Sequence, residues 1–400
     1  MSAKLPPLKR TKNDLIATGV ITALAVIGAG TVWATAPIRG TELTPATEPF
    51  IASAALDTIP EQLTEQWRVT DTSTNHKPQI TGGVLSTADG NTINTYTPDG
   101  SLLWSYERNK ELCALSVGFD ATIATYKTGV GCGETTAINA NDGTYKATRS
   151  AISSDKVAPI VSNDRIGVLS TERLELWRSD LVRTIEYGDV EAPQESGQQP
   201  HAECSITSAM TRKALLAVTE TCPDGSAYLR FMDTTPEDSR SPEINQAIKI
   251  TDGHIVAIGQ SAAAIYTNDP TPRIVSYNDS GEQVGDQAVE VSEIPDPPYQ
   301  NSTADLPHHM SWFNGTSLIL FSPTQLNVRQ TFDDALGTGI ALNGSLLYPT
   351  ADGIAVANWD TGEVLRTIPV DRGGFGGEVS LGVVGQAIVE KRGSEIVALG

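Results

Sequence analysis

The distribution of apolar and polar residues divides the chain into two unlike parts. From Leu15 to Ile38 the sequence contains no charged residue and is dominated by Ala, Val, Ile, Gly and Thr. A helix that rises about 1.5 Å per residue crosses a hydrocarbon core of about 30 Å with a run of this length. After residue 66 the pattern changes to short, alternating apolar stretches separated by Gly, Pro and Asp turns. This second part predicts an all-β domain.

The charges that flank the apolar segment predict its orientation. Four basic residues and the acidic Asp14 precede it, whereas only Arg39 follows it directly. Because basic residues concentrate on the cytoplasmic side of a membrane helix, the N-terminus is predicted to be cytoplasmic and the β domain periplasmic or extracellular. The predicted segments are a basic tail at 1–14, a transmembrane helix at 15–38, an extracytoplasmic linker of low order at 39–63 and the β domain at 64–400.

A cleaved signal peptide is the competing interpretation of the apolar segment. Ala34, Thr35 and Ala36 resemble a small-residue cleavage site. Pro37 directly after this site argues against cleavage. We therefore favour a retained single-pass anchor, and cleavage remains the alternative.

Internal similarity predicts the fold of the β domain. The segments Ile80–Arg108 and Leu342–Val370 both contain Thr-Ala-Asp-Gly, then an alternating strand, a glycine turn and a last strand. The glycines of this reversing turn recur at Gly100, Gly143, Gly281 and Gly362. Their separations equal one, three and two units of about 40 to 46 residues, which is the size of one four-stranded propeller blade.

Counting these units predicts an eight-bladed β-propeller. The blades are predicted to start near residues 78, 113, 157, 204, 246, 308, 337 and 377. The last unit stops after three strands, and Glu65–Asp71 resembles an outer strand. We predict that this N-terminal strand completes the C-terminal blade, because closure removes exposed sheet edges. Seven blades are the alternative, since the unit around Trp312 is short.

The repeats resemble those of quinoprotein-like (PQQ-like) propellers, whose blades end in a glycine turn followed by an apolar strand with Trp. Trp104 fits this pattern, whereas Arg366 stands in place of Trp in the matching unit. A single-pass anchor that carries such a propeller also resembles the polar growth factor A family of mycolate-producing actinobacteria. This resemblance implies a role in mycolate-glycolipid trafficking or lipoglycan maturation in the cell envelope.

The four cysteines fit the blade register as two pairs. Cys113 is predicted to open the first strand of a blade and Cys132 to close its second, and Cys204 and Cys222 take the same places two blades later. Antiparallel neighbours bring these ends together, so we predict the disulfides Cys113–Cys132 and Cys204–Cys222. Such bonds require an oxidising compartment.

Charge and candidate chemistry narrow the function further. The net charge of −20 disfavours nucleic acid as a partner, because so acidic a surface repels phosphate backbones. None of the five His lies in a recognisable nucleophile or zinc motif. No two Cys are adjacent, unlike the cysteine ring of many quinoprotein alcohol dehydrogenases. We therefore predict no catalytic residues, no metal and no cofactor.

Two long insertions are the candidate binding loops. The segment Glu290–Met310 and the segment Glu191–Glu203 both exceed ordinary turn lengths, and long insertions in compact domains are often functional. The candidate binding residues in and beside the first insertion are Asp305, His308, His309 and Trp312.

The sequence thus predicts a membrane-anchored, extracytoplasmic, non-catalytic binding or scaffold protein of the cell envelope. Its predicted partners are the membrane and an envelope protein, a glycolipid ligand, or both. The alternative is an extracytoplasmic enzyme on a propeller scaffold, either a cofactor-dependent, quinoprotein-like dehydrogenase or a glycosidase.

Overall fold

The protein is described by a computed structural model that covers residues 10–191, 193–292, 296–297 and 300–400. These residues form one N-terminal helix and eight β-sheets that are the blades of a propeller. The predicted eight-bladed propeller is therefore confirmed, and the alternative of seven blades is wrong. Most of the predicted cytoplasmic tail at 1–14 lies outside the described residues.

The N-terminal helix α1 spans Lys12–Thr35, and its sequence explains where it begins. The Thr11 hydroxyl accepts a hydrogen bond from the Asp14 backbone N–H, and the Asp14 carboxylate accepts one from the Thr11 N–H. This reciprocal capping box satisfies N–H groups that have no partner within the helix. A short 3-10 helix, Pro37–Gly40, follows it. No residue of α1 is buried, and its length and composition suit a membrane anchor or a signal sequence.

Blades one to four are antiparallel meanders numbered from the central channel outward. Blade one contains β3 (Gln79–Thr81), β4 (Val84–Asp89), β5 (Thr92–Tyr96) and β6 (Leu102–Arg108), with β1 (Thr41–Thr44) outside β6. Blade two contains β7 (Leu112–Gly118), β8 (Ala121–Thr128), β9 (Gly131–Asn139) and β10 (Tyr145–Ser150). Blade three contains β11 (Ala158–Val161), β12 (Ile166–Leu169), β13 (Arg173–Trp177) and β14 (Arg183–Gly188). Blade four contains β15 (Ser205–Arg212), β16 (Leu215–Thr221), β17 (Ala227–Asp233) and β18 (Ile244–Ile250).

Blades five to eight continue the ring. Blade five contains β19 (His254–Ile258), β20 (Ala262–Thr267), β21 (Arg273–Asn278) and β22 (Gln283–Ala288). Blade six contains β23 (Thr303–Asp305), β24 (Met310–Phe313), β25 (Leu318–Phe321) and β26 (Val328–Phe332). Blade seven contains β27 (Ile340–Leu342), β28 (Ser345–Thr350), β29 (Gly353–Ala357) and β30 (Val364–Pro369). Blade eight contains β31 (Val379–Val384), β32 (Ala387–Arg392), β33 (Glu395–Leu399) and, outermost, β2 (Glu65–Thr70).

The apolar core lies between neighbouring blades. Leu174 and Leu176 of blade three, for example, share one buried cluster with Leu216 and Val218 of blade four. We call the face where the first strand of each blade begins the upper face. The opposite face, where a turn joins the first strand to the second, is the lower face.

The predicted blade starts agree with the structure to within three residues at six of the eight blades. The start predicted near residue 246 is wrong, because it falls inside β18, the outer strand of blade four. A ten-residue connection, 234–243, separates β17 from β18 and displaces the outer strand along the chain. The start predicted near 308 is also late, since the short, polar strand β23 precedes it.

Tryptophan rings on glycine turns join consecutive blades. In blade two, the turn before the outer strand has Gly143 at a φ of +73°, and a Cβ there would lie 2.7 Å from the Trp104 ring of blade one. The Trp104 indole N–H donates to the Ala140 carbonyl at 2.7 Å. Trp67 of blade eight packs on Gly100 in the same way and donates to the Pro98 carbonyl.

Glutamine takes the place of tryptophan at two of the degenerate blade junctions. Gln330 of blade six lies against Gly362 and donates to the Asp360 carbonyl at 2.9 Å. Gln246 of blade four lies against Gly281. The turn geometry therefore persists where the sequence repeat has lost its aromatic residue.

The ring closes through β2, as the sequence predicts. This strand pairs antiparallel with β33, and Thr64 and Gly400 exchange two backbone hydrogen bonds of 3.0 Å. Beyond β2, the buried Asp71 carboxylate accepts from the Lys391 ammonium at 2.7 Å. The same carboxylate accepts from the Ala88 backbone N–H at 3.0 Å, so one side chain ties blade eight to blade one.

The expectation of low order at 39–63 is wrong. Thr41–Thr44 forms β1, which pairs with β6 as a fifth strand of blade one. Residues 45–64, which we call the strap, then run along the lower face. The Phe50 N–H donates to the Asn141 carbonyl at 2.8 Å and the Leu56 N–H donates to the Gly385 carbonyl at 2.8 Å. Polar composition alone does not reveal that backbone groups of the blades provide these partners.

Both predicted disulfides are present, Cys113–Cys132 in blade two and Cys204–Cys222 in blade four. Both lie at the upper face. One detail of the prediction is wrong: Cys132 lies in the third strand of its blade, β9, and not at the end of the second. By the chain-entropy model, each bond stabilises the fold by about 3 kcal/mol, because each closes a loop of about 20 residues.

We expect the Asp71→Asn substitution to lower the free energy of unfolding by about 3 kcal/mol, because it leaves the buried Lys391 ammonium without its counter-ion. Urea unfolding of the full chain in detergent, followed by tryptophan fluorescence, measures this change. The control is Arg68→Gln, which removes an exposed ion pair with Glu395 on the same pair of closing strands. Equal losses for the two variants would contradict this account of the closure.

We expect Trp104→Phe to cost about 2 kcal/mol, because it leaves the buried Ala140 carbonyl without its donor. The same urea unfolding experiment applies. Trp67→Phe is the matched comparison, since Trp67 makes the same kind of bond but is only half-buried. A larger loss for Trp67→Phe than for Trp104→Phe would show that burial does not set the strength of this junction.

Candidate functional site

The central channel of the propeller contains three connected cavities, which we take as the candidate site. The lower cavity has a volume of about 450 Å³, the middle cavity about 460 Å³ and the upper cavity about 240 Å³. Lys77, Asn163 and Thr303 line both the lower and the middle cavity. His76 and Gln300 line both the middle and the upper cavity. The three cavities therefore follow one another along the channel and share lining residues.

Side chains of both charges line the lower cavity. Arg212, at the end of β15, forms an ion pair of 2.9 Å with Asp305 at the end of β23. The adjacent Lys213 forms an ion pair of 3.4 Å with Asp164. The charged residues that line this cavity are Lys77, Arg212, Lys213, Asp120, Asp164 and Asp305. Three cations and three carboxylates therefore line this cavity.

The middle cavity has a different lining. Amide, hydroxyl and apolar side chains surround it, and Lys77 and His76 provide its basic groups. Among the described residues that line it, none carries a carboxylate. The Lys77 side chain has solvent contact inside the channel, yet protein surrounds it. Desolvation therefore lowers the pKa of Lys77, and the charge of Asp305 only partly opposes this.

The upper cavity contains an imidazole–carboxylate pair. His76 Nδ1 lies 3.4 Å from a Glu378 carboxylate oxygen, and the Ser302 hydroxyl also donates to Glu378. Desolvation lowers the pKa of His76, but the hydrogen bond and the charge of Glu378 outweigh it and raise the pKa above its ordinary value. On another wall of the cavity, burial between Tyr266 and Trp312 lowers the pKa of His254 to about 4.

The four candidate binding residues of the sequence analysis do not form one site. Asp305 reaches the lower cavity. The rings of His308 and His309 lie 5.5 Å and 5.8 Å from the Trp359 ring of blade seven, and the buried His309 Nδ1 is 3.0 Å from the Phe321 carbonyl. Trp312 is buried against Tyr266 and lines the upper cavity. Part of the predicted loop, residues 293–295 and 298–299, lies outside the described residues.

Sequence reasoning missed the polar residues that the channel does bring together. They are His76, Lys77, Asn163, Arg212, Lys213 and Glu378. Most of them lie at an end of the first strand of a blade, or just outside it. The blade register could have found that shared position, because the first strands line the channel. Isolated polar residues in separate repeats carry no motif that links them.

A cluster of histidine, acidic and cysteine side chains near blade four has the residue types of a metal site. Cys204 and Cys222 lie close to Glu220, and Cys204 also lies close to His201 and Glu203. The two sulfur atoms are bonded to each other. Neither sulfur is therefore available as a thiolate ligand, and the cluster is explained by the disulfide.

Comparison with solved structures supports the architecture. The chain is similar to BamB from Moraxella catarrhalis, with 10% identity and a TM-score of 0.50 over 84% of this chain and 97% of that chain. It is also similar to the computationally designed Ika8 protein, with 14% identity and a TM-score of 0.53 over 82% of this chain and 96% of that chain. No protein-family model matches the sequence, and no curated protein matches it. At these identities, the similarities show the propeller fold alone.

The two channel histidines predict opposite effects of pH on stability. The folded-state pKa of His254 is depressed to about 4, so the unfolded chain binds the proton first. The stability that His254 contributes is present above pH 6.5, and falls by up to about 3 kcal/mol as the pH drops from 6.5 to 4. The pKa of His76 is raised, so its contribution is present below pH 6.5 and is lost as the pH rises through the folded-state value.

We therefore expect the His254→Phe variant to lose less stability than the wild type between pH 7 and pH 5. The His76→Gln variant should differ most from the wild type at pH 5 and least at pH 8. Free energies of unfolding in urea at these pH values measure both effects. Parallel curves for all three proteins would contradict the assigned shifts.

Proposed function

We propose that this protein is a membrane-anchored scaffold that holds a propeller outside the cytoplasm and binds a protein partner through the lower face, without catalysis. The observation that carries the proposal is the short, hydrogen-bonded connection between the apolar helix and blade one. A fixed orientation toward the membrane presents one face of the propeller to a partner, which suits a docking platform.

The connection consists of five residues, 36–40, between α1 and β1. A chain of five residues spans at most about 18 Å. The Gly40 carbonyl accepts a hydrogen bond of 2.9 Å from the Asn109 N–H at the upper edge of blade one. The Arg39 guanidinium lies 3.5 Å from the centre of the Trp33 ring at the end of the helix. The helix thus ends beside the upper face, and the lower face is directed away from it.

Two further features support an extracytoplasmic docking platform. The disulfides of blades two and four suit an oxidising compartment, in agreement with the predicted membrane orientation. The rim of the lower cavity contains the ion pairs Arg212–Asp305 and Lys213–Asp164, and such mixed polar surfaces are typical of the outer parts of protein–protein interfaces. Charge complementarity of this kind provides specificity and a faster association rate.

The channel lining indicates which part of a glycolipid, the second predicted ligand, could bind there. Glycolipid trafficking is what the family resemblance implies, and it remains a prediction. The polar groups of the channel suit a sugar or an anionic head group better than an acyl chain, because buried polar groups without partners cost free energy beside hydrocarbon. A protein partner at the lower face therefore stands as the primary proposal.

We expect the full-length protein, extracted in mild detergent from cells that express it at natural levels, to retain one protein partner at a fixed stoichiometry in native mass spectrometry. The double variant Asp120→Lys with Lys213→Glu reverses two charges at the lower rim and should weaken retention at least tenfold. The matched control is Lys249→Glu on the exposed outer strand β18, which should retain the partner fully.

Two results would overturn the proposal. One is a partner that the lower-rim variant retains as well as the wild type does. The other is a bound redox cofactor, or turnover of a glycoside, that is lost with substitutions in the channel, because either would support the enzymatic alternative.

A further inference from the structure

The junction between the lower and middle cavities, which we call the waist, contains polar groups that the fold leaves unused. Lys77, Asn163 and Thr303 line both cavities there. Within the part of the chain that the structure describes, none of these three side chains has a hydrogen-bond partner, and the Lys77 ammonium has no ion pair. Lys77 and Asn163 are exposed to the solvent of the channel and Thr303 is half-buried. Water therefore satisfies these groups until a ligand replaces it.

The charge of the waist is unusual for this protein. The chain carries a net charge of −20, yet the described lining of the middle cavity has a lysine and no carboxylate. Asp305 is the carboxylate whose charge acts on Lys77, but Arg212 already pairs with it at 2.9 Å. A cation that lacks a counter-ion in a confined space attracts an anion, since charge interactions are stronger away from bulk water.

The groups around Lys77 limit what the anion can be. The Asn163 amide and the Thr303 hydroxyl add hydrogen-bond donors that suit carboxylate oxygens. Ile80, Val117 and Val161 line the same junction, so part of the ligand should be apolar. Each adjoining cavity, at about 450 Å³, falls within the range of sites for small molecules.

We infer that the waist binds a small organic anion, with its carboxylate on Lys77, Asn163 and Thr303 and its apolar portion against Ile80, Val117 and Val161. The ligand enters from the lower face, where the cavity is open and polar. This site does not depend on the proposed scaffold role. Loss of partner retention would leave it intact, and failure to bind an anion would leave the scaffold proposal intact.

Isothermal titration calorimetry on the full-length protein in detergent tests the site directly. The probes are benzoate, acetate and inorganic phosphate, each at constant ionic strength against chloride. We expect benzoate to bind more tightly than acetate, because its ring contacts the apolar rim. The Lys77→Met variant should bind benzoate at least tenfold more weakly, which corresponds to loss of one charge-assisted hydrogen bond.

A matched control separates the waist from general charge effects. Lys249→Met removes a lysine from the exposed outer strand β18, outside the channel, so it should leave benzoate binding unchanged. Thr303→Val provides a second, nearly isosteric test and should weaken binding severalfold.

Three results would overturn the inference, and a fourth would contradict its assigned head group. The first is no heat of binding for benzoate, acetate or phosphate to the wild type. The second is equal affinity in the wild type and in Lys77→Met, with unchanged unfolding midpoints. The third is a tetraglutamate peptide that binds more tightly than benzoate, because the occupant would then be a protein segment. If phosphate binds more tightly than benzoate, the ligand's head group is a phosphate ester and not a carboxylate, which contradicts the inferred head group.

Discussion

Closure of the ring is the constraint on which the rest of this structure depends. The four core strands of seven blades are consecutive in the chain, but the eighth blade needs β2, which comes from more than 300 residues away in sequence. The hydrogen bonds between β2 and β33 cover an edge that would otherwise be open to other chains. The buried Asp71–Lys391 pair then fixes how blade eight meets blade one. A channel with a defined lining exists only because this junction holds the first strands in a circle.

The blade junctions show how a degenerate repeat keeps one geometry. A side chain from the outer strand of one blade lies over the glycine turn of the next blade and donates to a carbonyl of that turn. Trp67 and Trp104 do so with an indole N–H, and Gln330 does so with an amide. These three junctions share a donor and the space left by glycine. The aromatic ring adds buried area, which is why the repeat can lose it and remain a propeller.

The net negative charge of the chain does not extend to the described lining of the middle cavity of its channel. Most of the negative charge lies on the surface, where it favours solubility and repels anionic partners. The waist around Lys77 instead gathers donors from blades that are distant in sequence. The strap and β1 are further products of this arrangement, since backbone groups of three blades hold a segment whose composition is typical of a linker. Together they place a helix at one face and an open, polar rim at the other.

The sequence by itself determined the apolar helix, the propeller, the blade size and number, the closing strand and the two disulfides. Each of these follows from local periodicity or from spacing along the chain, and the turn glycines recur at fixed intervals. Only the tertiary structure decided the order of the strap, the separation of Asp305, His308, His309 and Trp312, and the grouping of Lys77, Asn163 and Thr303. These three features depend on which strand ends the closed ring brings together. The distances between strand ends of different blades are not encoded in any local pattern of a single sequence.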